Sequence, residues 1–394
     1  MNHSDVVIVA AKRTPVGAFQ GSLSKVPAPR LGAIVLKSVL DETGIDKNKI
    51  NEVIMGNVLT AGLGQAPARQ AALYADLPDQ VECLTINKMC GSGLKAVMLA
   101  TQAIQCGHSQ IILAGGMENM SLSPYILPKA RSGYRLGHGE LIDSTIKDGL
   151  WDVYNDIHMG SCAEMCVRDR EYSREEQDEF AKESYRRAKR AQKGGLFNRE
   201  LTPVEIHQRK GPSIKITMDD EPARANFDKM SGLRPAFEKD GTITAANASK
   251  INDGAAALLL MTDEKAKELN LRPLVKVGPQ ASAAHAPEWF TTAPGKAIHK
   301  VLDMAQLTAQ DIDLWEINEA FAPVTMAAID DHQLNPSQIN IHGGAIALGH
   351  PIGASGARIL VTLIHGMNEH NARRGLATLC IGGGEASALI VEKV

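Results

Sequence analysis

The chain has 394 residues, of which 44% are apolar and 22% are charged, and its net charge is −3. These values are typical of a globular protein with two or three domain-sized units and a large core. A near-neutral chain gives no support to nucleic acid as a partner, and no apolar run approaches the ~20 residues that a membrane helix needs.

The N-terminus and the cysteines indicate the compartment. No signal peptide or Arg-rich presequence precedes the first predicted strand at residues 6–11. The six cysteines form no Cys-x-x-Cys pair and no disulfide framework, so we expect reduced thiols in a cytoplasmic protein. Cys162, Cys166 and His158 could hold a metal, but no further ligand set follows them, so we predict buried thiols and no metal site.

Strand-like and helical segments alternate along the chain, as in α/β proteins whose helices cover a mostly parallel sheet. Residues 110–114 and 255–261 are apolar on both faces, as buried strands are. In chain order, helical patterns are predicted at residues 31–43, 91–106, 174–193, 295–305 and 356–369. Functional groups are expected where strands end and helices begin.

One such junction holds Cys90. An apolar strand-like segment ends there, and Gly91, Ser92 and Gly93 lead into a helical pattern. A cysteine in the first turn of a helix has its thiolate favoured by the helix dipole and by free backbone N–H groups. The small residues let a substrate approach the backbone. The stretch fits a nucleophile, and it equally fits a buried cysteine at a strand–helix junction.

Three later segments favour the nucleophile. Residues 315–322 offer an amide and a carboxylate at a strand end, residues 349–358 place His350 at a second Gly-rich turn, and residues 379–385 place Cys380 before three glycines. The motifs Asn-x-x-Cys-Gly-Ser-Gly, Asn-Glu-Ala-Phe, Gly-His-Pro-x-Gly-x-Ser-Gly and Cys-x-Gly-Gly-Gly resemble those of the thiolase family, in its order. Each motif alone is moderate evidence, whereas four in order are very specific. The resemblance runs from about Val6 to the end.

The two ends of the chain also resemble each other. Segments that begin at residues 5, 50, 91 and 114 match segments that begin at 273, 312, 354 and 381, about 265 residues later. Any one match is weak. Four matches in order indicate a duplicated unit.

The resemblance implies a duplicated α/β fold. Two similar halves with mixed five-stranded sheets would form a layered α-β-α-β-α arrangement, with an inserted loop domain. We expect the first half at residues 1–120 with 246–270 and the second at 271–394. Residues 121–245 fit neither half, and in thiolases the corresponding insertion carries much of the coenzyme A site.

The resemblance further implies chemistry by two thiols and one imidazole. Cys90 would be acylated with His350 as its base, and Cys380 would move a proton at the α-carbon of the substrate. One oxyanion site would use His350 and a water held by Asn318. The other would use the backbone N–H groups of Cys90 and Gly382. Taken singly, each of these residues also fits a packing, capping or turn role.

The coenzyme contacts are likewise implied by the resemblance. His158 and Ser249 match residues near the pantetheine chain, and Met159 matches one beside the acyl pocket. Arg224 matches an arginine that the family often places against the adenine, in an alignment that needs a gap. The matched apolar residues of the pocket are Leu150, Phe237 and Phe321. Without the resemblance, the apolar residues among these would be interpreted as core and Ser249 as a turn cap.

His158-Met159 and residues 142–150 resemble the acetoacetyl-CoA (biosynthetic-type) branch. The implied activity is an acyltransferase reaction of fatty acid metabolism, the reversible ping-pong Claisen condensation of two acetyl-CoA to acetoacetyl-CoA and CoA. It would proceed through acetyl-Cys90 and need no cofactor. The alternatives are a degradative 3-ketoacyl-CoA thiolase of broader chain length and a non-catalytic thiolase-fold acyl-CoA binding protein.

Two further expectations concern partners. Family resemblance implies a homo-oligomer, a dimer of dimers, with residues 123–139 matching the tetramerisation loop; a solvated loop is the alternative. Gly91-x-Gly93-x-x-Ala96 fits a loose dinucleotide fingerprint, but no acidic residue stands ~20 residues on to bind a ribose. A nicotinamide cofactor is therefore not expected.

Overall fold

Strands and helices alternate through most of the computed structural model, which describes residues 5–208 and 210–394. The strands are β1 (Val6–Arg13), β2 (Gly17–Ala18), β3 (Glu52–Gly56), β4 (Glu82–Ile86), β5 (Ile111–Asn119), β6 (Tyr125–Ile126), β7 (Ile142–Asp143), β8 (Trp151–Asp152), β9 (Ile157–His158), β10 (Val204–Ile206), β11 (Ile214–Ile216), β12 (Asn252–Thr262), β13 (Val275–Ala284), β14 (Leu314–Ile317), β15 (Arg374–Ile381) and β16 (Glu385–Glu392).

The helices are α1 (Ala28–Thr43), α2 (Pro67–Tyr74), α3 (Ser92–Gln105), α4 (Met159–Arg170), α5 (Arg174–Lys193), α6 (Glu221–Arg224), α7 (Asp263–Glu268), α8 (Ala293–Ala305), α9 (Ala322–His332), α10 (Ala345–Leu348) and α11 (Ile352–His370). Short 3-10 turns lie at Lys47–Lys49, Met120–Leu122, Leu196–Arg199, Phe227–Lys229, Pro287–Thr292, Ala309–Asp311 and Pro336–Gln338, and Thr145–Leu150 forms a π-helical turn.

The main sheet shows the duplication as a repeated strand order. In the first half, β1, β12 and β5 pair antiparallel, and β3 and β4 continue in parallel. In the second half, β13, β16 and β15 pair antiparallel and β14 continues in parallel. A single parallel bridge between Trp315 and Ile339 stands where the first half has β4. Within the described residues, the first half thus has the five strands expected, with the two-residue β2 also paired to β12, and the second has four strands and this bridge.

The two half-sheets meet at one short contact. Val7 and Ile8 of β1 pair with Lys276 and Val275 of β13, which joins the halves into one continuous sheet. The matched segments of the sequence repeat therefore occupy matched places: residues 5–9 and 273–277 are the two strands at the junction.

Helices α3 and α11 form the middle layer between the half-sheets. Their buried side chains, among them Leu94, Val97 and Ile359, join one core with the inner faces of both half-sheets. The helices cross closely, since a Cβ on Gly93 would lie 2.6 Å from Ala357 N and one on Gly356 would lie 2.3 Å from Leu94 N. Only glycine allows this approach at both positions.

Separate cores cover the outer faces. Helices α1 and α2 pack on the first half-sheet, and α8 and α9 contribute to the core of the second. The order helix, sheet, helix, sheet, helix is therefore the layered arrangement that the sequence predicts.

Residues between β5 and β12 form the insertion, which contains α4, α5 and three small two-stranded pairs. A buried ion-pair network attaches it to the first strand. The Arg13 guanidinium bonds Glu200 at 2.5 Å and Asp219 at 2.7 Å, all with almost no exposure. In the described ranges, no helix is both long and apolar enough to cross a bilayer.

Candidate active site

Cys90 lies in the turn between β4 and α3. Met89, just before it, has a φ of +47°, in the left-handed region that residues with a side chain rarely adopt. Ser92 holds this turn closed: its hydroxyl accepts from Lys88 N at 2.8 Å and donates to the carbonyl of Met89 at 2.7 Å. The thiol is therefore placed by a strained turn that a buried serine supports.

The surroundings of Cys90 do not favour its thiolate. The residue is half-buried. Burial raises the pKa of its thiol to about 11, although backbone N–H groups of Gly382 and of Cys90 itself act in the opposite direction. The expected preference for the thiolate is therefore wrong, because desolvation of the sulfur outweighs the effect of the helix N-terminus. Acylation then needs a base that accepts the thiol proton.

His350 is held so that one ring nitrogen is free to be that base. Its backbone N–H donates to Asn252 Oδ1 at 2.9 Å, and its Nδ1 lies 2.6 Å from Ser355 Oγ. Ser355 donates its single hydroxyl hydrogen to the Pro351 carbonyl at 2.9 Å, so its Oγ accepts a hydrogen bond from the N–H at Nδ1 of His350. The lone pair of the neutral ring is therefore on Nε2, which faces Asn318 Nδ2 at 3.5 Å.

Burial keeps this ring neutral. It lowers the pKa of His350 to about 3, and the buried cation Arg358 acts in the same direction. A neutral imidazole can accept a proton from a thiol at physiological pH, whereas an imidazolium cannot. The ring is therefore neutral, as the predicted role requires, but the same burial makes it a weak base toward the thiol. Proton transfer from Cys90 must then accompany attack on the substrate rather than precede it.

Asn318 follows β14 and lies behind His350. Its backbone N–H donates to Thr378 O at 3.0 Å, while its side-chain Oδ1 is buried and has no hydrogen-bond partner. An unpaired buried carbonyl oxygen is costly unless a water or a ligand satisfies it. Asn318 therefore fits the expected role of holding a water beside the imidazole.

The second thiol, Cys380, lies at the end of β15 and is fully buried. Burial raises the pKa of this thiol well above its usual value, and the nearby sulfur of Cys90 raises it further. The chain then turns through Gly383 and Gly384, with φ of +93° and +81°. This turn, which only glycine adopts without strain, directs the N–H of Gly382 toward the sulfur of Cys90.

A cavity of about 530 Å³ connects these groups to the insertion. Every predicted site residue lines the cavity except Asn318, whose Nδ2 lies 3.5 Å from His350 Nε2. The predicted residues that line it are Cys90, Leu150, His158, Met159, Arg224, Phe237, Ser249, Phe321, His350, Cys380 and Gly382. Residues from both halves and from the insertion therefore share one pocket.

His158 and its neighbours form one wall of that pocket. His158 caps α4, accepting from Gly160 N at 3.0 Å through Nδ1, and its ring stacks on Phe237 at 4.8 Å. Gly160 must be glycine, because a Cβ there would lie 2.2 Å from the Phe237 ring. Met159 lies near Gly382 and packs in the same apolar cluster as Cys380.

Arg224 and Ser249 line the pocket on another side. Arg224 is largely exposed and lies 3.8 Å from Glu221. The backbone N–H of Ser249 donates to Ala320 O at 2.9 Å. The exposed guanidinium at the end of α6 can move to meet a ligand.

Several residues of the site were missed at the level of sequence. Ser355 and Asn252 fix His350, as described above. Lys250 is half-buried in the pocket wall and donates to the carbonyls of Ala248 and Ile346. Ser355 lies within a quoted motif, so its position relative to His350 was the available signal. Asn252 and Lys250 had no signal, because their roles depend on contacts between distant segments.

Glu118 is the other residue that the sequence did not identify. Its carboxylate is buried and accepts from Val58 N, Leu59 N and Gly353 N at 2.9 to 3.2 Å. Burial raises its pKa to about 7. Glu118 thereby connects the first half to the N-terminus of α11, near Cys90. In the sequence, Glu118 had been noted only as part of a segment of the internal repeat, without a role of its own.

Family models match almost the whole chain. Residues 6–264 match the thiolase N-terminal domain, and residues 271–393 match the thiolase C-terminal domain. The chain belongs to the thiolase family.

Relatives and solved structures agree with this assignment. The chain is 54% identical over 391 residues to an acetyl-CoA acetyltransferase of Cupriavidus necator, covering 99% of this chain and 100% of that protein. It is 52% identical to the acetyl-CoA acetyltransferase of Pseudomonas aeruginosa, covering 99% of both. A Bacillus anthracis acetyl-CoA acetyltransferase structure superposes with a TM-score of 0.97 at 41% identity, covering 100% of this chain and 99% of that one.

A thiolase crystallised with its coenzyme is also similar. The Acat5 thiolase from Ascaris suum in complex with coenzyme A superposes with a TM-score of 0.93 at 44% identity, covering 99% of this chain and 100% of that chain. The predicted family and fold are therefore confirmed, over the full length of the chain.

Proposed function

We propose that this thiolase is an acetyl-CoA C-acetyltransferase that joins two acetyl-CoA into acetoacetyl-CoA and CoA, reversibly. The observation that carries this proposal is the meeting of two thiols and one neutral imidazole in one apolar cavity. Acetyl-CoA acetyltransferases at 54% and 52% identity favour it over a broader degradative thiolase and over a non-catalytic binding protein. Coenzyme A thioesters are the substrates, and we propose that no separate cofactor takes part.

The first half-reaction acylates Cys90. Its sulfur attacks the thioester carbonyl, and His350 Nε2 accepts the thiol proton. The C–S bond to CoA breaks, and the leaving thiolate takes a proton from Cys380. Because burial raises the pKa of Cys380, this thiol is protonated beforehand and has a proton to give. The products are acetyl-Cys90, CoA, an imidazolium and the thiolate of Cys380.

The second half-reaction forms the C–C bond. The Cys380 thiolate removes a proton from the methyl group of a second acetyl-CoA, and the carbanion attacks the carbonyl of acetyl-Cys90. The Cys90 sulfur leaves and recovers its proton from the imidazolium. Both thiols and the neutral imidazole are regenerated, so protons and electrons balance over the cycle.

Fixed donors would stabilise the negative oxygen in each half-reaction. We assign the tetrahedral oxygen on Cys90 to the backbone N–H groups of Cys90 and Gly382, which face the sulfur. We assign the enolate oxygen to the His350 imidazole and a water on the unpaired Oδ1 of Asn318.

Coenzyme A would enter along the wall formed by the insertion. We propose that His158 and Ser249 contact the pantetheine chain and that Arg224 meets the adenine. Met159, together with the apolar residues Leu150, Phe237 and Phe321, would enclose the acetyl group. All of these line the cavity.

The chain divides into three proposed parts according to which groups each supplies to the cavity. We propose a first half at residues 1–120 with 246–270, a loop domain at 121–245 and a second half at 271–394. The loop domain would supply the coenzyme site and the halves the catalytic groups. We also propose a cytoplasmic enzyme of fatty acid metabolism.

A dimer of dimers is proposed from the exposed part of the insertion. Every side chain from residue 127 to 140 is exposed, and Leu136 is 98% exposed. An apolar side chain this exposed fits a contact with a second chain. Leu136→Ser should lower the mass measured by light scattering from tetramer to dimer; an unchanged mass would remove this loop from the interface.

A single assay tests the activity. The protein is mixed with acetoacetyl-CoA and CoA, and the loss of 3-ketoacyl absorbance is followed. We expect rapid thiolysis, with rates that fall as the 3-ketoacyl chain is lengthened. Equal or higher rates with long chains would favour the degradative alternative, and CoA binding without turnover would favour the non-catalytic one.

A further inference from the structure

A cluster outside the active site has the composition of a metal centre. His342 follows the bridge at Ile339, and Glu369 and His370 end α11. One donor atom from each of these three residues lies within 4.8 Å of the other two. Over the described ranges of the chain, no other group of three His, Cys, Asp or Glu residues meets this condition.

His342 is the most informative member. It is 5% exposed, and its Nε2 has no hydrogen-bond partner, although Glu369 Oε2 lies only 3.2 Å away. His342 Nε2 and Glu369 Oε2 thus lie close together without a hydrogen bond between them, as two neighbouring ligand atoms of one metal ion do. With bonds of ~2.0–2.2 Å, donor atoms in a tetrahedral zinc site are about 3.3 Å apart.

The ring of His342 is held in place by packing. Phe197 meets it edge-on at 5.9 Å, and the bare backbone at Gly366 leaves room beside its Cε1. Glu369 and His370 are partly exposed, so an ion can reach the cluster from solvent.

We propose that His342, Glu369 and His370 bind a divalent transition metal of the zinc type, with water completing the coordination. Two imidazoles and one carboxylate form a ligand set that suits Zn²⁺ and does not suit Mg²⁺, which takes oxygen ligands. The ion would attach the end of α11 to the segment that leads to His350. This site revises the sequence-based expectation that the chain holds no metal.

The test uses Zn²⁺ and Co²⁺ on the full-length protein. Titration calorimetry should show one Zn²⁺ bound per chain. In a separate thermal unfolding experiment, the melting temperature should be higher in Zn²⁺ than in Mg²⁺. His370→Ala and Glu369→Gln should each weaken Zn²⁺ binding by at least ~10-fold, since losses of ~10–100-fold follow even from changes beyond the ligands. Both residues are exposed enough for the variants to fold.

A matched control is His299→Ala, which removes an exposed histidine 3.2 Å from Asp303; the described part of the chain offers no third ligand there. It should leave Zn²⁺ affinity unchanged. Co²⁺ should give a spectrum of nitrogen and oxygen ligands without the intense thiolate charge-transfer band. No binding, equal affinity in His370→Ala and wild type, or a thiolate band from Cys90 and Cys380 would each overturn the proposal.

Discussion

Each half of the molecule has a serine at the same position of the repeat, and the two serines make different hydrogen bonds. Ser92 begins α3 and Ser355 lies in the first turn of α11, at matched positions of the repeat. Each hydroxyl donates to a carbonyl three or four residues earlier, that of Met89 in the first half and that of Pro351 in the second. What the hydroxyl accepts differs: a backbone N–H in the first half and the His350 ring in the second.

Under the proposed mechanism, this difference divides catalytic work between the two halves. In the first half the serine closes the turn that holds Cys90, the proposed nucleophile. In the second half the serine at the matched position fixes the tautomer of His350, the proposed base. The crossing of α3 and α11 at Gly93 and Gly356 brings these two helix starts together, so Cys90 and His350 face one cavity.

The largest effect is expected at the nucleophile itself. In Cys90→Ser the hydroxyl is far harder to deprotonate than the thiol, so acylation fails while the pocket remains. Turnover should fall by ~10³-fold or more, as for other removed nucleophiles. CoA affinity, measured by calorimetry, should stay within about threefold of wild type. A variant that kept most of its activity would make Cys90 structural.

The next largest effect is expected where helices α3 and α11 cross. A Cβ at Gly93 or Gly356 would meet the backbone of the other helix, so either Gly→Ala change should lower the free energy of unfolding by ~1–3 kcal/mol or more. Gly366→Ala on the same helix α11 is the control. Its nearest atoms would lie 3.5 Å or further away, so it should be neutral or stabilising. Equal losses in all three, by denaturant unfolding, would contradict the close crossing.

The matched serines allow a more direct comparison. Ser355→Ala removes the acceptor of the His350 ring, so kcat should fall ~10–100-fold through loss of the correct tautomer. Ser92→Ala should chiefly cost stability, by about 1 kcal/mol, through a weakened turn. Steady-state kinetics and thermal unfolding on both variants measure this split. If Ser355→Ala lost only stability, the serine would not position the base.

The smallest effect is a missing pH dependence. A free histidine titrates near pH 6.5. Because burial lowers the pKa of His350 to about 3, the ring stays neutral as the pH falls through 6.5. The rate of acetyl-Cys90 formation should therefore show no acid limb from histidine between about pH 5 and 7. A limb near 6.5 that persisted in folded protein would contradict this state of the base.

One control is needed for that profile. Burial raises the pKa of Glu118 to about 7, and this carboxylate lies near Cys90. Repeating the measurement in Glu118→Gln separates the titration of Glu118 from that of His350.

Sequence alone predicted much of this architecture. The helical pattern at 174–193 matches α5, and the pattern at 91–106 matches α3 within one residue at each end. These helices have clear boundaries in a capping serine or a glycine. A fifth strand was expected in the second half, but the described residues form only a single bridge there, between Trp315 and Ile339. The length of this strand depends on pairing with β14, which the local sequence pattern does not show.

The site divides in the same way. Cys90, His350 and Cys380 lie in distinctive motifs and were predicted. The thiolate preference of Cys90 was wrong, because the desolvation that raises its pKa comes from residues distant in sequence. Asn252 was missed for the same reason, since its bond to His350 spans 98 residues.

The central claim is that the two halves supply thiols with separate duties: Cys90 carries the acyl group, and Cys380 moves protons, at the leaving CoA sulfur and at the methyl carbon. Cys380→Ser incubated with acetyl-CoA in deuterated water tests it most directly, with acetyl-enzyme followed by mass spectrometry and methyl exchange by NMR. We expect acetyl-Cys90 still to form, more slowly because the leaving CoA thiolate loses its proton donor. Methyl exchange should fall by ~10²–10⁴-fold, the usual worth of a positioned proton transfer. Normal methyl exchange in Cys380→Ser would contradict the account and make another group, His350 first, the carbon base.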